Sequence, residues 1–205
     1  MSDEDRQRWN QRYAQGAYLE RDQPSEILTR ACADGTLPTA AGTVHVPRAL
    51  DVACGAGRNA RYLAELGYAV DAVDISAVAL GRGRELAAGA GLAVNWLEAD
   101  LESAVSGWLP AASYDLIVVI RYLNLPLLAE LSQRLDAGGI LLCETHLQTQ
   151  TAVAGPRGAR FRAAPGALAQ VVQGLQMLLS EEGLVTEPDG RTACLARLIA
   201  IAPHP

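Results

Sequence analysis

Three observations predict an α/β fold in which helices cover both faces of a mainly parallel sheet, a three-layer α/β/α sandwich. Residues 49–76 read as a strand, a glycine turn, a helix and a second strand, the unit whose first turn lies at the carboxyl edge of a parallel sheet. Tyr114 to Ile120 (YDLIVVI) is a continuous, β-branched apolar run of the kind buried on both faces at a sheet centre. The chain then closes with two strands, near Gln176 to Ser180 and Ala193 to Ile201, joined by a turn containing Asp189 and Gly190. That connection has no room for a helix, so the pair is antiparallel.

In chain order, residues 3–15 form a polar helix with Trp9 and Tyr13 available to anchor it, and Glu26 to Ala33 a second helix that Gly35 terminates. Gly35 to Pro47 is a loop. The first strand covers Ala49 to Ala53, the glycine turn Gly55 and Gly57, and the second strand Ala69 to Val73, ending at Asp74. Ser76 is placed to cap an alanine-rich helix running to about Ala88 despite Gly81 and Gly83. Ala93 to Leu97 is the third strand and Tyr114 to Ile120 the fourth. Helix Leu125 to Leu135 and an Ala-Gly-Gly turn lead to the fifth, Ile140 to Glu144. Residues 147–164 carry Arg157, Arg160 and Arg162 in a loop without acids, and Pro165 starts a helix to about Gly174.

With 205 residues the chain is expected to be one domain burying roughly 70% of its unfolded surface. Its parts are a helical cap over 1–35, a cofactor-binding core over 48–146 and a substrate-side segment over 147–205. A net charge of -6 argues against nucleic acid and anionic membranes, which select clustered Lys and Arg. The four cysteines are too dispersed for a metal pair or a disulfide framework, and no apolar run reaches the ~18 residues a membrane span needs, so a cytoplasmic protein is expected.

The chemistry is concentrated at the first turn. Gly55, Gly57 and Ala60 satisfy the loose Gly-x-Gly-x-x-Gly/Ala pattern that brings backbone against a pyrophosphate. Asp51, four residues before Gly55, contributes nothing to a pyrophosphate site but welcomes a cation. A ligand with an ammonium, a sulfonium and no phosphate fits, and S-adenosyl-L-methionine has that character. Asp74, seventeen residues beyond Gly57, is placed to accept both ribose hydroxyls. Asp100 ends the third strand, where it can accept the adenine amino group beside Ala99 and Leu101.

The string D-x-x-C-G-x-G with an acid at the end of the second strand resembles the class I S-adenosylmethionine-dependent methyltransferases over residues 45–145. CGAGRNARYLAELGY and FRAAPGALAQ resemble more narrowly its tellurite-resistance or thiol-type branch. The resemblance implies a Rossmann-like sheet ordered 3-2-1-4-5-7-6 with strand 7 antiparallel. It also implies a cofactor site of Asp51, Ala53, Cys54, Gly55, Gly57, Asn59, Asp74, Ile75, Asp100, Leu101 and Ile120. Ala53 stands where many relatives have a glycine, and Cys54 is a small packing residue there rather than a nucleophile. The N-terminal helix folds over the cofactor in this family, where Arg12 can meet its carboxylate.

Ile120, Arg121 and Tyr122 end the fourth strand, where the transferable methyl points. The Asn/Asp-Pro-Pro-Tyr motif of nucleobase and amide methylation is absent, and Arg121 would repel the magnesium of catechol-type enzymes. Arg121 suits an anionic acceptor, or else pairs with Asp115, Glu144 or the cofactor carboxylate. Of the histidines, His45 precedes the first strand and His204 lies in the tail, which leaves only His146 at the active edge. The expected activity is methyl transfer to a small-molecule acceptor, which the resemblance makes a thiol or a chalcogen oxyanion, by a monomer or homodimer. A carboxylate, hydroxyl or amine acceptor, a nicotinamide-dependent oxidoreductase and a non-catalytic cofactor-binding module remain alternatives. The loop bearing Arg157, Arg160 and Arg162 either closes over the site or is a solvated lid.

Overall fold

The computed structural model describes residues 3–37, 46–103, 107–110 and 113–204. Six helices and eight strands follow in the order α1 (Asp3–Ala14), α2 (Glu26–Ala33), β1 (Arg48–Val52), α3 (Arg58–Glu65), β2 (Ala69–Asp74), α4 (Ala77–Gly89), β3 (Val94–Glu98), β4 (Tyr114–Ile120), α5 (Leu125–Ser132), β5 (Leu135–Leu147), β6 (Arg162–Ala163), α6 (Ala167–Val171), β7 (Gln176–Thr186) and β8 (Thr192–Ile201). They build one sheet ordered β3-β2-β1-β4-β5-β8-β7, with β6 beside β5. β1 to β5 pair in parallel, while β8 is antiparallel to both its neighbours. This is the anticipated order, extended by a two-residue strand. β8 already occupies one side of His146, so β6, pairing His146 with Arg162, takes the side β4 vacates when it ends at Ile120.

Alternation along the strands divides the core in two. Leu116, Val118 and Ile120 of β4 join Ala49, Val70 and Ala72 under Ile27, Leu28, Leu63 and Leu80 of α2, α3 and α4. Ile117 and Val119 turn the other way, with Leu50, Val52, Val73 and Leu141, under Leu127, Leu128 and Leu131 of α5 and Leu168 of α6. Both faces of the strand are therefore covered, which explains a run with no polar alternation. Burying each such side chain contributes about 1.5–3 kcal/mol.

Local signals set several boundaries. Ser76 Oγ accepts the Ala79 amide at 3.1 Å, the expected cap of α4, and Asn124 does the same for Leu127 at the start of α5. Gly35, with φ of 76°, follows the last turn of α2 as a left-handed terminator. The Ala-Gly-Gly segment expected as a turn before β5 is instead a bulge within it: pairing with β4 jumps from Tyr114↔Leu135 to Leu116↔Ile140. The loop from Gly35 to Pro47, and His45 within it, lie largely outside the described residues. β7 runs six residues past its expected end at Ser180 because β8 pairs with it as far as Thr186↔Thr192.

Candidate active site

The carboxyl ends of β1, β2 and β3 converge on the glycine turn. Gly57 precedes α3 in a left-handed conformation, so it offers no side chain to cap the helix, and Asp51 of β1 does so from outside: its Oδ2 accepts the Ala60 amide at 3.0 Å. Asp51 is buried, and that burial pushes its carboxyl up to about 7. Oδ1 is the carboxylate oxygen left to meet a further ligand. Asp74 closes the same turn from the end of β2, its Oδ2 accepting the Gly55 amide at 2.8 Å and its Oδ1 the Ser76 amide at 2.9 Å. Burial raises its pKa as well. Ala53 takes a φ of 54°, left-handed geometry that a glycine would adopt without strain. Cys54 is buried with its thiol pushed well above the ordinary value by desolvation, which leaves it unreactive.

Around this turn, Ile75 and Leu101 are buried apolar residues, Ile120 ends β4 on the side of the sheet covered by α2, α3 and α4, and Asp100 caps its own loop by accepting the Glu102 amide. Asn59 is buried but engaged elsewhere: its Oδ1 accepts the Ser25 amide at 2.9 Å and so ties α2 to α3. It therefore supports the turn from behind. The cap helix α1 docks over the same edge. Asn10 Oδ1 accepts from Ser76 Oγ at 2.8 Å, Arg6 pairs with Glu98, and the Tyr13 hydroxyl sits against Gly55, where any side chain on the glycine would collide with it. Burial, then the Asp74 carboxylate, raises the Tyr13 pKa. Arg12 stacks on Trp9 at 5.0 Å and donates to the Tyr18 hydroxyl at 3.1 Å, so it stiffens the cap.

A second cluster lies at the ends of β4, β5 and the β7–β8 hairpin. Arg121 takes a φ of 61°, a strained conformation costing about 1–3 kcal/mol for a residue with a side chain. Its Nε donates to Glu144 Oε1 at 2.8 Å, Nη2 pairs with Glu187, and Nη1 lies 3.4 Å from His146 Nε2. Glu144, 3% exposed, also accepts from Arg197 Nε at 2.7 Å, and Arg197 reaches Glu26 at 3.1 Å. Burial alone would raise Glu144, but Arg121 and Arg197 hold its carboxyl below the usual range. Burial, followed by the charges of Arg121 and Arg162, pulls His146 down to about 4, so its imidazole is neutral at pH 7 and a poor base. Guanidinium groups only donate, so Nε2 is assigned as the acceptor and the proton to Nδ1, which is buried without a hydrogen-bond partner among the described residues. Burial pushes the Tyr122 phenol up to about 12, and Asp100 and Asp74 lie on its side of the cleft.

Three contributors, Arg58, Arg21 and Glu187, were not anticipated. Arg58 opens α3 directly after Gly57 and its Nη1 donates to the Gln23 carbonyl at 3.0 Å, while burial, then the charges of Arg21 and Arg121, lowers its pKa. Its position inside CGAGRNA was the available signal. Arg21 and Glu187 meet at 3.8 Å, and Tyr13 covers the turn. Glu187 carries no sequence signal, since Glu-Pro-Asp-Gly reads as an ordinary surface turn. Arg162 is not free to act as a lid: its guanidinium donates to the carbonyls of Pro156, Leu147 and Ala154 at 2.8, 3.0 and 3.4 Å. Asp115 accepts the Arg48 amide rather than pairing with Arg121.

A groove of about 770 Å³ lies elsewhere, at the amino ends of β1 to β3 among Arg48, Asp71, Arg84 and Asn95. Asp71 there is fully engaged by the Tyr114 hydroxyl, Asn95 and Arg48 at 2.7, 2.7 and 3.2 Å. That network ties strand ends together. The converging acids and glycine backbone favour the carboxyl edge as the site, in agreement with the rule that open parallel sheets bind ligands there.

Residues 49–139 match the family model described as Methyltransferase domain. Among solved structures, TehB from Haemophilus influenzae superimposes with a TM-score of 0.68 and 22% identity over 86% of this chain, which spans 61% of the TehB chain. A protein described by the conversion of a disulfide bond into a thioacetal group during echinomycin biosynthesis gives 0.65 and 16% over 88% of this chain and 82% of its own. Magnesium protoporphyrin IX methyltransferase from Synechocystis PCC 6803, with bound S-adenosylhomocysteine, gives 0.61 and 16% over 86% and 80%. No curated protein matches the sequence. The fold is that of the class I methyltransferases, whose cofactor is S-adenosylmethionine, and the match to their domain model is confined to residues 49–139.

Proposed function

We propose that this protein is an S-adenosylmethionine-dependent methyltransferase acting on a small-molecule acceptor, a thiol or chalcogen oxyanion, by in-line displacement. The observation that carries this reading is the pair of buried carboxylates, Asp51 and Asp74, on either side of the Gly55 turn. A diphosphate would meet both negative charges. A zwitterionic headgroup would instead find Asp51 for its ammonium and Arg58 for its carboxylate, with Asp74 for ribose and Asp100 for adenine.

The cofactor supplies a methyl group on a sulfonium, already activated, and leaves as S-adenosylhomocysteine. The chain's task is then placement. Ile120 and Tyr122 wall the cleft at the end of β4, and Tyr13 covers the turn. Holding an acceptor in line at ~3–3.5 Å supplies up to roughly 7–11 kcal/mol of the barrier. A thiolate or oxyanion arrives ionised and needs no general base, which accords with the neutral, weakly basic His146. The likeness of fold to TehB and to a protein of sulfur chemistry is in keeping with this acceptor class, and the likeness to a putative sarcosine dimethylglycine methyltransferase with an amine. Among the described residues no helix is long and apolar enough to cross a membrane, in keeping with work on small molecules in the cytoplasm.

Calorimetric titration with S-adenosylmethionine and with NADH tests the cofactor. Binding of the first alone is expected, and binding of NADH alone would falsify the reading. Release of S-adenosylhomocysteine across a panel of thiols, oxyanions, carboxylates and amines then separates an enzyme from a binding module and orders the acceptor classes.

A further inference from the structure

The strained Arg121 is aimed at a carboxylate that belongs to the protein itself. Glu187 is the first residue of the β7–β8 turn, in which the Gly190 amide donates to the Glu187 carbonyl at 2.8 Å with Pro188 between them. The turn is therefore stiff, and its first side chain is delivered to one place. There the Glu187 carboxylate bridges two guanidiniums, Arg121 Nη2 through Oε1 and Arg21 Nη2 at 3.8 Å through Oε2, with its side chain 11% exposed. Arg58 lies close enough to both arginines to have its pKa lowered by them. Glu144, the other acid on Arg121, is shared with Arg197 and belongs to the sheet.

We infer that Arg21 and Arg121 form the anchoring site for an acceptor bearing a carboxylate, and that Glu187 fills this site in the resting protein and swings out when the acceptor binds.

This rests on the methyltransferase reading for the identity of the cleft, but the anion site itself does not. Removing Glu187 would leave Arg21 without that partner and Arg121 with Glu144 as its remaining acid, a partly buried excess of positive charge that a small carboxylate neutralises in the same bridging geometry. Only a side-chain rotation is needed, since the Glu187 backbone is held through its amide to the Arg191 carbonyl at 2.8 Å. An internal carboxylate competes at an effective concentration on the order of mM, so external carboxylates bind the intact protein weakly.

The test uses saturation-transfer NMR on the full chain without cofactor, with 3-mercaptopropionate as the carboxylate probe and 2-mercaptoethanol as its neutral counterpart. Glu187→Gln is expected to tighten binding of 3-mercaptopropionate about tenfold, through loss of the internal competitor, without changing the neutral thiol. Adding Arg121→Gln to that variant should abolish the gain. Unchanged or weaker binding by Glu187→Gln would mean that the bridge only pins the hairpin, and the inference would be wrong. If Glu187→Gln unfolds, Glu187→Asp, which withdraws the carboxylate by one methylene, should show an intermediate tightening, and its absence counts equally against the site. Tightening in a protein that fails to bind S-adenosylmethionine would retain the anion site and discard the methyltransferase reading. The reverse pair of results would do the opposite.

Discussion

The two halves of the cleft are built on different principles. Around Gly55, two carboxylates accept backbone amides, Asp51 from Ala60 and Asp74 from Gly55 and Ser76, and every participant falls within residues 51–76. Around Arg121, side chains bind side chains: Arg21, Arg121, Glu144, Glu187 and Arg197 arrive from the N-terminal segment, two parallel strands and the terminal hairpin. The first half is a local device that caps a helix and closes a turn. The second is a charge network assembled across the molecule. A recurring cofactor suits the first construction, and a variable acceptor suits the second.

Breaking the network should have the largest effect. Glu144→Ala leaves the guanidiniums of Arg121 and Arg197 without their buried partner and is expected to cost about 3–5 kcal/mol in urea unfolding. On the cofactor side, Asp74→Ala should weaken S-adenosylmethionine binding by about 1–3 kcal/mol, read by calorimetry. It should also lower the melting temperature, because the Gly55 and Ser76 amides lose their acceptor. Unchanged affinity would remove Asp74 from the ribose site.

The halves should also respond to pH with opposite signs. His146 is lowered from 6.5 to about 4, so the unfolded chain takes up the proton first, and its contribution to stability, present above 6.5, is lost as pH falls towards about 4. Asp51 is raised from 3.8 to about 7, so its contribution is present below 3.8 and lost as pH rises through about 7. In melting profiles from pH 4 to 8, His146→Gln should therefore remove a loss on acidification and Asp51→Asn a loss on alkalinisation. A cofactor ammonium beside Asp51 would favour its charged form, so protons should be released on binding near pH 6 to 7. Heats measured in buffers of different ionisation enthalpy would show it. The smallest effect belongs to the cap: Arg6 and Glu98 are 37% and 40% exposed, so Arg6→Ala should cost only about 0.2–1 kcal/mol.

Tyr114 to Ile120 was legible as a buried strand to the residue, because a run that is apolar at both parities has to be covered on both faces. The turn built by Asp51, Gly55, Gly57 and Asp74 was legible because it depends on offsets within one strand–turn–helix–strand unit. Arg58 sat in the same unit and was overlooked, since an arginine at a helix start has a surface explanation ready. Arg162 was misread for a related reason: charge shows in a sequence, whereas the three carbonyls it clamps do not.

By itself, then, the order of residues determined the parallel sheet, its antiparallel ending and the glycine turn with its acids, since each follows from periodicity or spacing over a few dozen residues. Only the tertiary structure decided that Arg121 would take a left-handed backbone and meet Glu187, or that Glu144 would be shared with Arg197. Those pairings join positions 66 and 53 residues apart. Whether opposite charges so far apart along a chain attract or never meet depends on the register of the strands that carry them.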